Sequence, residues 1–246
     1  MSVKQILNAL DLLEYFARTR KPASLGQIEQ NFGWPRSSTY NILSTLVERG
    51  YMYEPVRRGG YYPTPRWQRI ADIIVGADGL STQLSILLSQ LSKDTGETAA
   101  VAAASTTYAL YLDVVESPSA IRYTAHPGAR IPIHASASGR ALLSLCTEAE
   151  RQSIYSRLQF VRYGPNALMS SEKVEAEIQT SLKRGWFQSL NEYDADLSSV
   201  ALPVKVDERR LAIMVAGPAH RLGPRCAEVA KLMRRSIKAR LGITVA

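Results

Sequence analysis

The first sixty-five residues are punctuated so tightly that they constrain this chain more than any other stretch. Three amphipathic runs follow one another, each closed by residues that break a helix. Ile6, Leu7, Leu10, Leu13 and Phe16 recur at three- and four-residue steps, one face of a helix, until Lys21-Pro22 ends the run. Ser24 and Gln27 form a capping-box pair ahead of Ile28 and Phe32, and Gly33 supplies a turn. Pro35 then stands where a first helical turn tolerates proline. Thr39, Ile42, Leu43, Leu46 and Val47 make the third stripe, and Gly50 stops it. Two aromatic, strand-like runs follow, residues 51–55 and 61–64, on either side of Val56-Arg57-Arg58-Gly59-Gly60.

Helix, short glycine turn, helix is the outline of a DNA-binding helix-turn-helix, and a hairpin with a basic tip directly after it makes a winged helix. A generic three-helix bundle is the competing reading. The polar face of the third run argues against it. Arg36, Tyr40 and Ser44 are spaced four apart, with Ser37 and Asn41 beside them. These side chains donate to phosphates or to base edges, and they are short of the carboxylates that DNA repels. The contacts expected with duplex DNA are therefore Arg36, Ser37, Tyr40 and Asn41, with Ser38 near a phosphate and Arg57 and Arg58 on the wing. Charge agrees. Residues 1–69 carry ten basic and five acidic side chains, the rest twenty and seventeen, so the first quarter holds more than half of the surplus of +8. A basic module of this kind suits a polyanion.

Residues 66–76 read as a linker helix with Trp67, Ile70, Ile73 and Ile74 on one side, free to pack on its own domain or on a second subunit. Gly76 and Gly79 separate it from a helix around 80–91. From Glu97 the pattern alternates, and strands are expected at 97–105, 108–117, 120–125, 186–190, 199–206 and 211–216. Residues 171–185 read as a helix with Val174, Ile178 and Leu182 inward. A last helix, about 224–241, carries Lys231, Arg234, Arg235, Lys238 and Arg240 as a solvated face over Leu232, Ile237 and Leu241. This order predicts an α+β domain on an antiparallel sheet. His126, His134 and His220 lack ligand spacing, so no metal or other cofactor is expected. Cys146 and Cys226 form no disulfide framework, which suits a reducing cytoplasm. No apolar run approaches the ~20 residues that span a bilayer, and the start has no signal-peptide pattern, so no membrane partner is expected. An enzyme is the rival class, but no nucleophile elbow, phosphate-cradling loop, dinucleotide fingerprint or His-Glu-x-x-His pattern is present.

The run from Pro35 to Tyr51 resembles the recognition helix of IclR-type bacterial transcriptional regulators. That family has a Pro-basic-Ser-Thr opening, a Leu-Leu pair and a Thr-Leu-Val-Glu-Arg-Gly-Tyr exit, and this sequence keeps the exit. Thr39 stands where the family usually has an aliphatic residue, and Tyr40 and Asn41 where it often has His and Arg, so the operator sequence is not borrowed from a relative. Residues 126–141 resemble the family's Pro-Gly-x-x-x-Pro-x-His-Ala-x-x-x-Gly-Lys-Ala segment, with Arg140 in place of the Lys. Residues 191–203 and 214–218 resemble its second and third segments.

The resemblance implies a winged helix-turn-helix domain over 1–65, a linker helix over 66–79 that helps form a homodimer or homotetramer, and a GAF-like effector-binding domain over 80–246. It implies a repressor or activator of catabolic genes that answers to a small organic acid. Relatives' effector contacts fall on Ile131, Ala137, Ser138, Ser189, Leu197, Ser199, Met214 and Ala216. Met214 and Ala216 are apolar where some relatives carry polar side chains, which favours a larger or flatter effector such as an aromatic acid. The helix opening at Ser136–Arg140 offers free amides to a carboxylate; alternatively Ser136 or Ser138 only caps it. Tyr193, Asp194 and Asp196 either gate the pocket or form a solvated acidic loop. His134 reads first as a packed residue, and the alternative function is a small-molecule enzyme with a GAF-like domain using His134 and Ser138.

Overall fold

The computed structural model describes residues 3–55, 59–76 and 79–245. They form two compact units that meet in sequence at Gly79-Leu80.

In the first unit, α1 (Lys4–Thr19), α2 (Leu25–Phe32) and α3 (Arg36–Glu48) precede an antiparallel pair, β1 (Met52–Tyr53) and β2 (Tyr62–Pro63), and then α4 (Arg66–Gly76). Both halves of the α2 capping box are made: Ser24 accepts from the Gln27 amide, and the Gln27 carboxamide accepts from the Ser24 amide at 2.8 Å. Gly33, in the left-handed region, ends α2. The core is Leu12, Phe16, Ala23, Ile28, Leu43 and Met52. Ala23 and Tyr61 exchange backbone hydrogen bonds of 3.1 and 2.8 Å, which ties the hairpin to the bundle. A Cβ at Gly60 would lie 2.6 Å from the Ala23 carbonyl carbon, and its φ is +102°, so this approach requires glycine. The hairpin tip with Arg57 and Arg58 lies outside the described residues.

The helical period of α1 is as expected, but its phase is not. Asn8, Leu12 and Phe16 are buried, whereas Ile6, Leu7 and Leu10 are exposed and Leu13 is half-buried. The helix carries apolar residues on two faces, and packing against α2, α3 and β2 selects one. Val47 is also exposed, because the last turn of α3 extends past the small core. In α4, the Trp67 ring packs on Tyr51 at 4.5 Å and its N–H donates to the Tyr51 carbonyl at 2.9 Å, while Ile73 and Ile74 are exposed.

The second unit opens with α5 (Gly79–Thr95), β3 (Thr98–Ser105), β4 (Tyr108–Val115) and β5 (Arg130–Pro132). Next come α6 (Ala137–Ser144), α7 (Glu148–Tyr155), α8 (Ser171–Arg184), β6 (Phe187–Leu190), β7 (Leu197–Val206) and β8 (Arg209–Pro218). The short α9 (Ala219–Leu222), a 3-10 turn (Gly223–Arg225) and α10 (Cys226–Leu241) finish the chain. The six strands form one antiparallel sheet in the order β5-β4-β3-β8-β7-β6. Strand alternation sorts the side chains. Val101, Val200, Leu202, Ile213 and Val215 share a core with α5 and α10. Ala100, Ala102, Ala201, Ala212, Met214 and Ala216 share the other with α6 and α8.

Three expectations change. Residues 120–125 form no strand. Their carbonyls serve side chains instead: Tyr123 accepts from the Thr98 hydroxyl at 2.5 Å and Ile121 from Arg221 at 3.1 Å. The outer edge of β4 is taken by β5, with Ile131 opposite Ala109. Leu182 is exposed, because the inward position after Val174 and Ile178 on α8 is Ser181. Helix α7 was unforeseen, although Thr147 and Glu150 form a capping box that announces it.

Candidate nucleic-acid interface and ligand cavity

Helix α3 buries Thr39 and Leu43 and so turns the rest of its first two turns outward. Arg36, Ser37, Ser38, Tyr40 and Asn41 are all exposed there. The five described side chains of the predicted DNA-contacting set are thus brought onto one helical surface. Arg36 lies 3.2 Å from Glu29, but its side chain is 76% exposed. An ion pair with one partner this exposed contributes about 0–1 kcal/mol, so Glu29 holds the guanidinium only weakly. The hydroxyls of Ser44 and Thr45 donate to the Asn41 carbonyl at 3.1 and 2.7 Å, which leaves the Asn41 carboxamide out of their bonding.

In the second unit the predicted effector contacts gather on the alanine-rich face of the sheet. Ser189 pairs with Ser199, Ser199 with Ala216, and Met214 with both Ala100 and Ala201, so four of the eight share neighbouring registers. Ala137 and Ser138 begin α6, which packs over this face, and Ile131 sits on the edge strand β5. All of these are buried, and Leu197 is half-buried. Leu197 lines an open cavity of about 510 Å³ together with Tyr123, Tyr193, Asp194, Asp196 and His220. Tyr123 joins the two regions: its hydroxyl is 3.5 Å from that of Tyr111, which lies 4.0 Å from the Met214 sulfur.

The hydroxyls of Tyr111 and Tyr123 were not foreseen, whereas Tyr193 was expected on the loop beside the pocket and lines the cavity there. Burial pushes all three up from the usual phenol range, Tyr111 most of all, so each stays a neutral donor. The only sequence signal for Tyr111 is its place in the alternation of β4, two residues from Ala109.

The opening of α6 is capped. The Ser136 hydroxyl accepts from the Gly139 amide at 3.1 Å, and Ser138 donates to Ser136 at 3.5 Å. A Cβ at Gly139 would lie 2.0 Å from the Ile133 carbonyl oxygen, so this close crossing excludes any side chain. Arg140, in the position the resembling family gives to Lys, is wholly buried. It donates to the carbonyls of His134 at 2.9 Å and Gln188 at 2.5 Å and to both carboxylate oxygens of Glu192. Arg140 and Glu192 are 52 residues apart, and no spacing rule announces the pair. A second ion pair joins buried Glu97 to Arg221, at 2.5 and 2.8 Å.

His134 is buried against Phe160 and Tyr163, with Nε2 3.4 Å from the Val161 carbonyl. Burial lowers its pKa, so the imidazole is neutral. Its bond and that of Ser138 run to different partners, and the geometry assembles no nucleophile–base pair from them. Among the described residues no group of three or more His, Cys, Asp and Glu is placed to hold a metal ion, and no single helix is long and apolar enough to cross a membrane.

Comparison with known proteins agrees with this geometry. Residues 5–54 match the IclR helix-turn-helix domain, and residues 74–239 match the C-terminal domain of the bacterial transcriptional regulator IclR. The chain is 26% identical to the acetate operon repressor of Salmonella typhimurium over 99% of its own length and 90% of the repressor's. The crystal structure of the Thermotoga maritima IclR superposes with a TM-score of 0.76 at 19% identity, covering 98% of this chain and 99% of that one. An IclR homologue from Microbacterium hydrocarbonoxydans, crystallised with 4-hydroxybenzoate, superposes with a TM-score of 0.73 at 17% identity, covering 97% and 99%. The curated relatives are regulators, so the enzyme alternative through His134 and Ser138 falls away. The helix-turn-helix unit and the curled-sheet unit each match their counterpart, and the chain belongs to the IclR family of bacterial transcriptional regulators.

Proposed function

We propose that α3 enters the major groove of an operator and that the second unit answers to a small aromatic acid, controlling catabolic genes. The gathering of Arg36, Ser37, Ser38, Tyr40 and Asn41 on one exposed helical surface carries the DNA half of this reading. Ser37 and Asn41 sit opposite the buried Thr39–Leu43 side and reach base edges, Arg36 and Ser38 meet phosphates, and Arg57 and Arg58 serve the wing. The exposed Ile73 and Ile74 of α4 and Ile6, Leu7 and Leu10 of α1 support assembly into a homodimer or homotetramer, which pairs two half-sites.

Asn41→Ala is expected to weaken binding to the DNA upstream of the protein's own gene by about 1–3 kcal/mol and to leave binding to scrambled duplex unchanged. Fluorescence anisotropy on both duplexes measures this. Equal losses on the two would remove Asn41 from the base readers.

The effector half rests on the shape and polarity of the sheet face. Alanines at 100, 102, 201, 212 and 216, all buried, give that face an apolar floor of small side chains, and the Tyr111 hydroxyl lies beside Met214 on it. A flat ring suits that floor, with its carboxylate toward the first amides of α6 and the Ser138 hydroxyl. The 4-hydroxybenzoate held by the Microbacterium homologue is a ligand of this chemistry. Calorimetry is expected to show heat with benzoate-type acids and none with glyoxylate or pyruvate. The reverse pattern would overturn the aromatic assignment.

A further inference from the structure

Residues 120–125, expected as a strand, belong to a loop that side chains fasten to the sheet. The Thr98 hydroxyl donates to the Tyr123 carbonyl at 2.5 Å and accepts from the Ser117 amide at 3.1 Å, and the Ser117 hydroxyl donates to the Gly96 carbonyl at 2.6 Å. Arg221, on α9, adds a charged tie. Its guanidinium holds both carboxylate oxygens of the fully buried Glu97, at 2.5 and 2.8 Å, and also donates to the Ile121 carbonyl at 3.1 Å. Gly217 makes room for this pair, since a Cβ there would lie 2.2 Å from a Glu97 carboxylate oxygen. A buried ion pair is costly, and an apolar pair often holds a fold as well. An apolar pair, however, does not grip a loop carbonyl. The loop held in this way is one wall of the 510 Å³ cavity, which Ile121, Tyr123 and Thr124 line together with Tyr193, Leu197 and His220. Tyr123 also reaches toward the candidate effector contacts. Its hydroxyl is 3.5 Å from that of Tyr111, and Tyr111 has Ser138 and Met214 as hydrogen-bonding neighbours. At 3.5 Å, well beyond the roughly 2.5–3.0 Å of a firm O–H···O bond, the Tyr123 hydroxyl is only weakly held. Its backbone is fixed, and its donor hydrogen is free to turn.

We propose that Tyr123 is a binding contact of the effector, donating its hydroxyl to the carboxylate of the acid, and that Arg221 is the positioning residue that fixes the loop behind it. The inference rests on the effector reading above and adds to it a wall from which none of the expected contacts comes. Ser138 and Tyr123 stand on different elements, α6 and the loop after β4, and a carboxylate has enough lone pairs to accept from both. The arginines nearest the wall do not supply the charge: Arg221 is paired with Glu97, and Arg122 with Glu116 at 2.9 Å. The carboxylate is therefore held by neutral donors, and their placement decides the affinity.

The experiment is calorimetry of the full-length protein with benzoate and with 4-hydroxybenzoate, for the unsubstituted chain, Tyr123→Phe, Arg221→Lys and the double substitution, with ligand-free thermal midpoints measured beside it. Tyr123→Phe is expected to weaken both acids roughly ten- to hundredfold, the range for a hydrogen bond to a charged group, while its midpoint stays unchanged. Arg221→Lys keeps a cation on Glu97 but replaces the planar fork with a single ammonium that does not span both acceptors. It is expected to weaken binding and to speed hydrogen exchange at the amides of residues 119–124. In the Tyr123→Phe background Arg221→Lys is expected to add little further loss, because both act on one contact. Tyr123→Phe with its affinity intact overturns the contact and leaves the effector reading standing. A fall in its ligand-free midpoint that accounts for the lost binding makes the hydroxyl structural and overturns the contact as well. Losses that add in the double substitution give Arg221 a structural role alone and overturn the positioning. No heat from either acid with the unsubstituted protein removes the aromatic-acid reading, and this inference with it.

Discussion

Replacing Glu192 by alanine is expected to destabilise the second unit by about 3–5 kcal/mol, because it leaves the buried Arg140 guanidinium without a counter-charge. That is a large share of the roughly 5–15 kcal/mol that holds a typical domain folded. The Arg140 side chain has no exposed surface, and the Glu192 side chain is 11% exposed. After the substitution only the carbonyls of His134 and Gln188 remain to solvate the cation. The pair also has a positional role. Arg140 lies on α6, and its acceptors lie before α6, on β6 and just after β6, so the guanidinium fastens α6 over the face that gathers the candidate effector contacts. The urea midpoint of Glu192→Ala measures the effect, and ligand binding is expected to fall with it. The double substitution Arg140→Met with Glu192→Leu is expected to recover most of the stability, since removing both charges removes the desolvation penalty. A midpoint of Glu192→Ala equal to that of the unsubstituted protein would show that the buried charge is tolerated alone.

The second large effect is expected in the first unit. Leu43 is fully buried in a small core that, among the described residues, has six buried apolar members. Leu43→Ala removes about 2–5 kcal/mol, and a unit this small has little in reserve. Leu43 lies on the inner side of α3, so the loss loosens the helix that carries Ser37 and Asn41. Hydrogen exchange is expected to speed up through α1, α2 and α3 while amides of β3 and β8 keep their protection, and DNA binding is expected to fall on every sequence. Unaltered exchange in α3 would mean that the bundle repacks around the cavity. Asn41→Ala differs from it by sparing both the exchange pattern and the scrambled duplex.

What the residues determine by themselves is what depends on neighbours three or four positions away. The Ser24–Gln27 capping box, the left-handed Gly33 and the outward side of α3 were legible because a helix places such residues together whatever surrounds it. Strands β3, β7 and β8 lie where strands were expected, but they are buried on both faces, so apolar runs rather than a polar–apolar alternation mark them. The tertiary structure alone decided which apolar side of α1 is buried, that β5 rather than residues 120–125 completes the sheet edge, and that Arg140 meets Glu192. It alone brought Tyr111, Tyr123 and Met214 together. Each of these turns on desolvation, and how much water a side chain loses is set by elements distant in the chain that the local pattern does not specify.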